Sequence, residues 1–416
     1  MNTEKNILQS NLIIFFSILS LFVGFYFNED SSGSGGYIAD FNYTWEYVEV
    51  LKDKIFFLGT QWTVHTPLHY ILLSKINLII ESQNTVRIVY CLISLIIPFL
   101  FYKCLSIKYT GLSFFTKSIL TSIIFILPAY RSSAIWANSH GTALIFFLLF
   151  LLCFLKWEKS DKKILSKNVL LQTIFLALAV YTRQYYALIF LYLLYLYLKK
   201  LKTLDYIKIL FFIFILTIPG FIHVYYDPKI LSGTFDKNFG NTILVNSSII
   251  GFYLIPFYLI NFLNEKKMLN VNYFHKNKYI YFFSFLTVII CSLFFDYNYT
   301  NGGGFFLKLS ILVFDNNFLF LISSFIGLVI ITKLIFENKE NAFLFFIFIF
   351  GFSAYIIFQK YYEPMFLFIF LFMMKTNIII KIFKNINNCY LLYFYFFLYF
   401  SSAALNNYFK FTKFIN

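Results

Sequence analysis

The chain has 416 residues, of which 60% are hydrophobic, 23% aromatic and 13% charged, and its formal net charge is +15. A soluble globular protein has about 25% charged residues, so this composition excludes an ordinary soluble domain and indicates a polytopic membrane protein. The basic residues concentrate in the loops on one side of the predicted spans, as the positive-inside rule requires. We therefore assign the positive charge to membrane orientation and expect no nucleic-acid partner.

Apolar runs of nearly spanning length predict an all-α polytopic membrane protein with about 13 transmembrane helices. The runs lie at 7–27, 86–102, 114–130, 138–155, 167–181, 184–198, 207–223, 243–263, 279–295, 317–335, 341–358, 364–382 and 388–405. The first run is long and heads a multispan chain, which favours a retained signal anchor over a cleaved signal peptide. The positive-inside rule favours a cytoplasmic N-terminus. The chain is predicted to form one transmembrane domain over residues 1–416.

The first outer loop in this topology covers residues 28–85 and is predicted to contain two surface helices. One helix has a single apolar face, as interfacial amphipathic helices do, formed by Trp45, Val48, Leu51, Ile55 and Leu58. The other covers Pro67 to Ile80, which is too short to cross a bilayer comfortably. Further outer loops are predicted at 223–242 and 296–316.

Unusual polar side chains gather on the predicted outer side. Arg183 lies in an otherwise apolar and aromatic run, where an ionised side chain is costly unless it reaches a polar cavity. The whole set is Asp40, Trp62, His65, His69, Arg131, Asn138, His140, Arg183, Gln184, Asp227, Asp236, Asp296, Lys360 and Glu363. Arginine binds phosphate oxygens through a planar fork, and a carboxylate can take a proton from a hydroxyl. The set therefore predicts an outward-facing pocket for a lipid-linked phosphate donor.

The order of these features resembles the GT-C superfamily of polytopic glycosyltransferases, which use polyprenyl-phosphate-linked sugars. Asp40 in the first outer loop is followed by TPLHYILL at 66–73 and by PAYRSSAIWANSHGTALIFFLLF at 128–150. Arg183-Gln184 is similar to the Arg-Gln pair of the dolichyl-phosphate-glucose glucosyltransferases, and KYYEP at 360–364 is similar to the entry of their C-terminal span. The resemblance covers residues 7–200 as an ordered pattern and later residues only in outline.

The resemblance implies a role for each matching residue. Asp40 would be the catalytic base or position the acceptor, while Arg183, with Arg131 or Lys360, would bind the donor phosphate. Apart from the resemblance, the polar and aromatic character of the outer loops predicts substrate contacts from Trp62, His65, Asp236 and Tyr361, and Gln184 of the Arg-Gln pair is expected to join them. Many relatives have paired acids in the first outer loop, whereas Asp40 is followed by Phe41 and Asn42. Three other carboxylates therefore remain candidates for the base, namely Glu46, Asp236 and Asp296.

The sequence thus predicts a membrane glycosyltransferase that moves a sugar from a polyprenyl-phosphate donor to a lipid-linked or polymeric glycan. Its active site would face away from the cytoplasm, in a bacterial inner or plasma membrane, with no cofactor. We also expect no metal, because Pro67 interrupts the His65 and His69 pair. An O-antigen-type polymerase is an alternative, although that class has a large late outer loop. A lipid-linked-oligosaccharide flippase, which would require charges across the bilayer depth and internal repeats, is a second alternative.

Overall fold

The structure is a computed structural model that describes residues 2–31, 36–52, 66–160, 164–226, 238–264, 278–298, 302–352, 354 and 356–409. Helices contain 83% of these residues, so the all-helical fold predicted from composition is confirmed for the described part of the chain. The chain folds into two compact units, Met1–Gly233 and Thr234–Asn416. The single transmembrane domain over residues 1–416 stays a prediction.

The first unit contains a series of helices joined by short connections. They are α1 (Asn2–Tyr26), α2 (Gly36–Val50), α3 (Leu68–Ile80), α4 (Gln83–Ser94), α5 (Ile96–Lys108), α6 (Phe114–Phe125), α7 (Pro128–Ile135), α8 (Ser139–Lys159), α9 (Lys167–Val180), α10 (Ala187–Lys200) and α11 (Thr203–Tyr226). A 3-10 turn over Gln184–Tyr186 connects α9 to α10.

The second unit is also helical in its described residues. Its helices are α12 (Phe239–Asn264), α13 (Lys278–Ser292), α14 (Gly304–Phe314), α15 (Phe318–Glu337), α16 (Glu340–Phe350), α17 (Met365–Phe372), α18 (Ile378–Phe383) and α19 (Ile386–Phe409). A 3-10 turn over Gln359–Tyr361 precedes α17.

Fewer helices are long enough to cross a membrane than the sequence predicted. Among the described residues, seven helices have the required length and hydropathy, or eight if α6 and α7, which meet at 65°, form one broken span. The expected count of about 13 crossings is not supported. Several predicted spans form short helices instead: α9 and α10 have 14 residues each, which is about 21 Å against a hydrocarbon core of about 30 Å. The chain therefore has the features of a multi-pass membrane protein with fewer full-length spans.

The two helices predicted for the first outer loop pack against each other. α2 begins well before the predicted apolar face, and its buried side chains are Tyr37, Phe41, Thr44 and Val48. This spacing is typical of a helix with one inward face. α3 follows Pro67 directly, as expected, and its Asn77 donates to the Glu49 carboxylate of α2 at 2.8 Å. The predicted face members Ile55 and Leu58 lie outside the described residues.

Three consecutive polar residues after α1 hold one end of the first unit together. Asn28 accepts a hydrogen bond from Arg87 of α4 at 3.0 Å. Glu29 forms an ion pair with Arg131 of α7. Asp30 accepts from a backbone N–H in the first turn of α2 at 2.8 Å, which satisfies one of the donors that a helix start leaves open. The segment therefore fixes where α2 begins, and with it the position of the residues that α2 carries.

At the other helix ends of the first unit, lysines at the ends of α5 and α10 contact the end of α8. Lys108 at the end of α5 lies 3.3 Å from Glu158 at the end of α8. Lys200 at the end of α10 lies over the ring of Trp157, 5.0 Å from its centroid. Helix ends that the sequence assigned to the same side are thus close together within this unit.

Two helices of the second unit pack through the same short motif. Residues 247–251 of α12 read SSIIG and residues 323–327 of α15 read SSFIG. The hydroxyls of Ser248 and Ser323 are 2.6 Å apart. A Cβ atom on Gly327 would overlap the backbone carbonyl of the first serine in the facing motif. Small residues permit such close backbone approach between membrane helices, where packing and hydrogen bonds drive association.

Candidate functional site

Three polar side chains from separate parts of the first unit meet at one place. Asn138 Nδ2 donates to Asp40 Oδ2 at 3.5 Å, and an Nη of Arg183 donates to Asn138 Oδ1 at 3.1 Å. Arg183 is 4% exposed and Asn138 is 2% exposed, whereas Asp40 is half-buried. Asp40 and Arg183, which the sequence named as base and phosphate ligand, are therefore each one hydrogen bond away from the same amide. We call these residues the Asp40–Asn138–Arg183 cluster.

Asn138 occupies the cluster because of a sharp corner between α7 and α8. The corner passes through Ala137, whose φ of +44° is in the left-handed region. Asn138 then caps α8, with its Oδ1 accepting from the backbone N–H of His140 at 3.1 Å. Asparagine is among the best N-cap residues because its side chain satisfies a first-turn donor. The same oxygen that caps the helix also contacts Arg183.

Buried hydrogen bonds hold this corner from two other helices. The Tyr90 hydroxyl of α4 donates to the Asn138 carbonyl at 2.7 Å, and His69 Nε2 of α3 lies 2.8 Å from the Ala137 carbonyl. Because a carbonyl only accepts, Nε2 carries the proton, and Nδ1 accepts from the Thr142 hydroxyl at 2.8 Å. Burial lowers the pKa of His69 to about 3. This histidine is therefore a neutral structural support at physiological pH.

The position of Arg183 follows from the end of α9. Its backbone N–H donates to the Ala179 carbonyl at 2.8 Å, which closes the last turn before the 3-10 segment begins. The start of α3 is tied to the same place: the Thr66 hydroxyl donates to the Val180 carbonyl at 2.8 Å, and the Leu68 N–H donates to the Tyr181 carbonyl at 3.0 Å. These bonds place the arginine directly beside α3.

Aromatic side chains contact His140, whose backbone N–H donates to Asn138; the sequence named His140 as an unusual polar residue but predicted no site role for these tyrosines. Tyr37 of α2 meets His140 edge to face with ring centroids 5.8 Å apart, and His140 Nδ1 lies 3.1 Å from the Tyr185 hydroxyl. Tyr185 is half-buried and stacks on Tyr186 at 4.8 Å. The available signal was their position, since Tyr185 and Tyr186 follow the Arg183-Gln184 pair and Tyr37 precedes Asp40 by one helical turn.

Tyr70 is a further residue near the cluster that sequence reasoning missed. It is buried on α3 and packs against Tyr47 with ring centroids 5.3 Å apart. Burial raises the pKa of Tyr70 to about 12; Arg183 opposes this shift, while Tyr47 and Asp40 add to it. The phenol is therefore protonated at neutral pH and is a hydrogen-bond donor close to both charges. The sequence signal for Tyr70 was its position next to His69 in the TPLHYILL stretch.

Arg131, predicted to bind donor phosphate, is engaged by protein groups elsewhere in the unit. Its Nε and one Nη donate to Glu29 at 2.7 and 2.5 Å. The other Nη donates to the Ser20 hydroxyl at 3.0 Å and to the Phe125 carbonyl at 3.1 Å. Arg131 is only 2% exposed. The guanidinium thus joins α1 to the α6–α7 corner, and its fork is already filled by a carboxylate.

The remaining predicted residues do not share one location. Gln184 is half-buried in the 3-10 turn next to Arg183. Lys360 and Tyr361 are half-buried in the second unit, where Lys360 lies over the Phe358 ring at 5.3 Å. Of the alternative bases, Glu46 is exposed on α2 and Asp296 is exposed in the second unit. Trp62, His65 and Asp236 lie outside the described residues.

Comparisons with protein-family models, with curated proteins and with solved structures gave no significant match. A functional conclusion for this chain therefore depends on the chemistry of its own residues, because a helical membrane fold hosts many activities. The chemistry available at the cluster is a half-buried carboxylate and a buried guanidinium that contact the same amide.

Proposed function

We propose that this chain is a membrane glycosyltransferase that moves a sugar from a polyprenyl-phosphate donor to a hydroxyl of a lipid-linked or polymeric glycan. The observation that supports the proposal is the Asp40–Asn138–Arg183 cluster. A base for the acceptor and a cation for the departing phosphate must lie within the length of one sugar-phosphate, and both contact the side chain of Asn138. The ordered resemblance to the GT-C glycosyltransferases favours the same reaction class.

The proposed reaction is a single displacement at the anomeric carbon. The acceptor oxygen gives its proton to Asp40 and forms a bond to the anomeric carbon, while the bond from that carbon to the phosphate oxygen breaks. The leaving group departs as polyprenyl phosphate and keeps the bonding electron pair. Arg183 stabilises the charge that develops on the phosphate, since a buried cation acts strongly where water is excluded. The leaving group needs no proton, so one carboxylate suffices.

The proposed orientation places the cluster on the non-cytoplasmic side of the membrane. The positive-inside rule favours a cytoplasmic location for the loops that follow α5, α8 and α10. The cluster lies at the opposite helix ends of the same unit, where Asp40, Asn138 and Arg183 meet. A phosphate attached to a polyprenyl chain would lie near headgroup depth, so a buried arginine at a helix end is within its reach.

The test is sugar transfer by the purified full chain from a panel of polyprenyl-phosphate sugars. Asp40→Asn should reduce turnover by about 100- to 10,000-fold, the usual contribution of a general base, while donor binding is retained. Glu46→Gln tests the alternative base on the same helix; if Asp40 is the base, this variant should leave turnover unchanged.

Two outcomes would contradict the proposal in different ways. Undiminished transfer by Asp40→Asn would assign the base to another acid. Absence of transfer by the wild type from every monosaccharide donor, combined with transfer of whole oligosaccharide blocks from diphosphate-linked donors, would favour the polymerase over the glycosyltransferase.

A further inference from the structure

We propose that Asn138 is a positioning residue that holds the carboxylate of Asp40 and the guanidinium of Arg183 in one fixed relative geometry. This inference rests on the proposed function and deepens it. It assigns the spacing between base and phosphate ligand to a residue that does not need to touch either substrate. Its basis is the direction of the hydrogen bonds around this single amide.

The amide of Asn138 has only one orientation that satisfies its surroundings. Oδ1 receives two donors, the backbone N–H of His140 at 3.1 Å and an Nη of Arg183 at 3.1 Å. A rotated amide would direct its NH₂ group at both donors, so the oxygen must lie there. Nδ2 then necessarily faces Asp40 Oδ2. One planar group therefore links a carboxylate oxygen of Asp40 to a guanidinium nitrogen of Arg183.

The backbone that carries this amide is fixed from several directions. The Asn138 carbonyl accepts from the Tyr90 hydroxyl at 2.7 Å and from the Ser133 hydroxyl at 3.3 Å. The Asn138 N–H donates to the Ser133 carbonyl at 3.0 Å. His69 holds the preceding carbonyl at 2.8 Å. Because these partners come from α3, α4 and α7, three helices hold the backbone position from which the Asn138 side chain extends.

Such rigidity matters for the proposed displacement. Proton removal and phosphate departure occur together, so a change of about 1 Å in the distance between their groups can cost about 100-fold in rate. Groups that orient catalytic residues through hydrogen bonds commonly contribute about 10- to 100-fold. Asparagine suits this orienting role. An aspartate there would repel Asp40, and an alkyl side chain would bind neither Asp40 nor Arg183.

The test uses Asn138→Ser, which keeps a good helix cap but is too short to bridge Asp40 and Arg183. We expect turnover to fall by about 10- to 100-fold, whereas binding of polyprenyl phosphate changes by no more than a few-fold. The matched control is Asn77→Ser, which removes a similar amide–carboxylate bond to Glu49 in the same unit without contacting Arg183. It should retain wild-type turnover.

A double-mutant cycle separates positioning from a general loss of stability. In an Asp40→Asn background, Asn138→Ser should cause little further loss of turnover, because there is no longer a base to position. Equal losses in both backgrounds would overturn the inference, as would unchanged turnover in Asn138→Ser. If Asn138→Ser does not fold, Asn138→Asp replaces it, since aspartate keeps the cap and the Arg183 acceptor. Undiminished turnover in Asn138→Asp would also overturn the inference.

Failure of this inference and failure of the proposed function give different results. If the wild type neither binds polyprenyl phosphate nor transfers sugar, the glycosyltransferase proposal fails. If the wild type does both and Asn138→Ser matches it in both measurements, only the role of Asn138 is refuted.

Discussion

Arg183 and Arg131 are both buried arginines in the first unit, but their environments differ. The guanidinium of Arg131 pairs with Glu29 and contacts backbone carbonyls around the α6–α7 corner. The guanidinium of Arg183 contacts the neutral amide of Asn138 beside a half-buried carboxylate and a protonated phenol. A buried ion pair is costly to break because the remaining charge has lost its partner. The fork of Arg131 is filled by Glu29, which predicts a structural role for this residue, whereas Arg183 is the residue proposed to bind phosphate.

This difference predicts opposite effects for the same conservative substitution. Arg183→Lys should weaken binding of polyprenyl phosphate by about 10-fold or more, because an ammonium cannot contact the amide and a phosphate with one planar fork. Arg131→Lys should lower the melting temperature while the folded protein keeps wild-type affinity. Calorimetric titration of each purified variant, together with thermal unfolding in detergent, measures both quantities. Equal affinities for Arg183→Lys and wild type would make Arg183 a structural residue.

Between helices, the paired SSxxG motifs of α12 and α15 determine how closely two long apolar helices approach. Gly251 faces Gly327 so closely that a Cβ on Gly251 would lie 3.0 Å from the Gly327 Cα atom. Hydrogen bonds between serines accompany this approach, and the Ser324 hydroxyl also donates to the Leu244 carbonyl at 2.9 Å. The glycine surfaces of the two helices are in close contact. An added side-chain atom on either glycine should therefore push the helices apart.

We therefore expect Gly327→Ala to destabilise the second unit by about 1–3 kcal/mol, the usual cost of overpacking a tight contact. Gly111→Ala is the matched control, because a Cβ there has no heavy atom within 4 Å. Thermal unfolding of the two purified variants in the same detergent measures the difference. A melting temperature for Gly327→Ala equal to that of the Gly111→Ala control would show that the two helices can separate without cost.

For the molecule as a whole, the central question is which side of the membrane the cluster faces. The cluster and the loops after α5, α8 and α10 lie at opposite helix ends of the first unit. Positive residues in those loops favour the cytoplasm. Both ends carry exposed positions suitable for labelling, namely Asn42 on α2 and Gly111 after α5.

One cysteine added at each of these positions in turn tests the orientation. In intact cells, a membrane-impermeant maleimide should label Asn42→Cys, whereas Gly111→Cys should react only after the membrane is opened. The native chain has five cysteines, all buried, so the unsubstituted protein provides the background. Labelling of Gly111→Cys but not Asn42→Cys in intact cells would reverse the topology and place the proposed active site in the cytoplasm.

The amino-acid sequence was sufficient to establish the helical membrane class, because apolar length and charge distribution are properties of local segments. The same is true of the start of α3 after Pro67, whereas the roles of Asp40 and Arg183 stay predictions. The number of crossings was predicted less well, since an apolar run of near-spanning length does not reveal whether its helix ends early. The runs at 167–181 and 341–358, for example, form helices of 14 and 11 residues.

Tertiary structure was needed to distinguish the two arginines and to reveal Asn138. From sequence, Arg131 and Arg183 are both single cations near the ends of apolar runs. Their surroundings differ, since Glu29 pairs with Arg131 and the helix-capping amide of Asn138 accepts from Arg183. The sequence placed Asn138 among the unusual polar residues of the predicted pocket but gave it no role of its own. Its contact with both Asp40 and Arg183 requires three distant segments to meet, and hydrogen bonds between distant segments leave no periodic signal in a sequence.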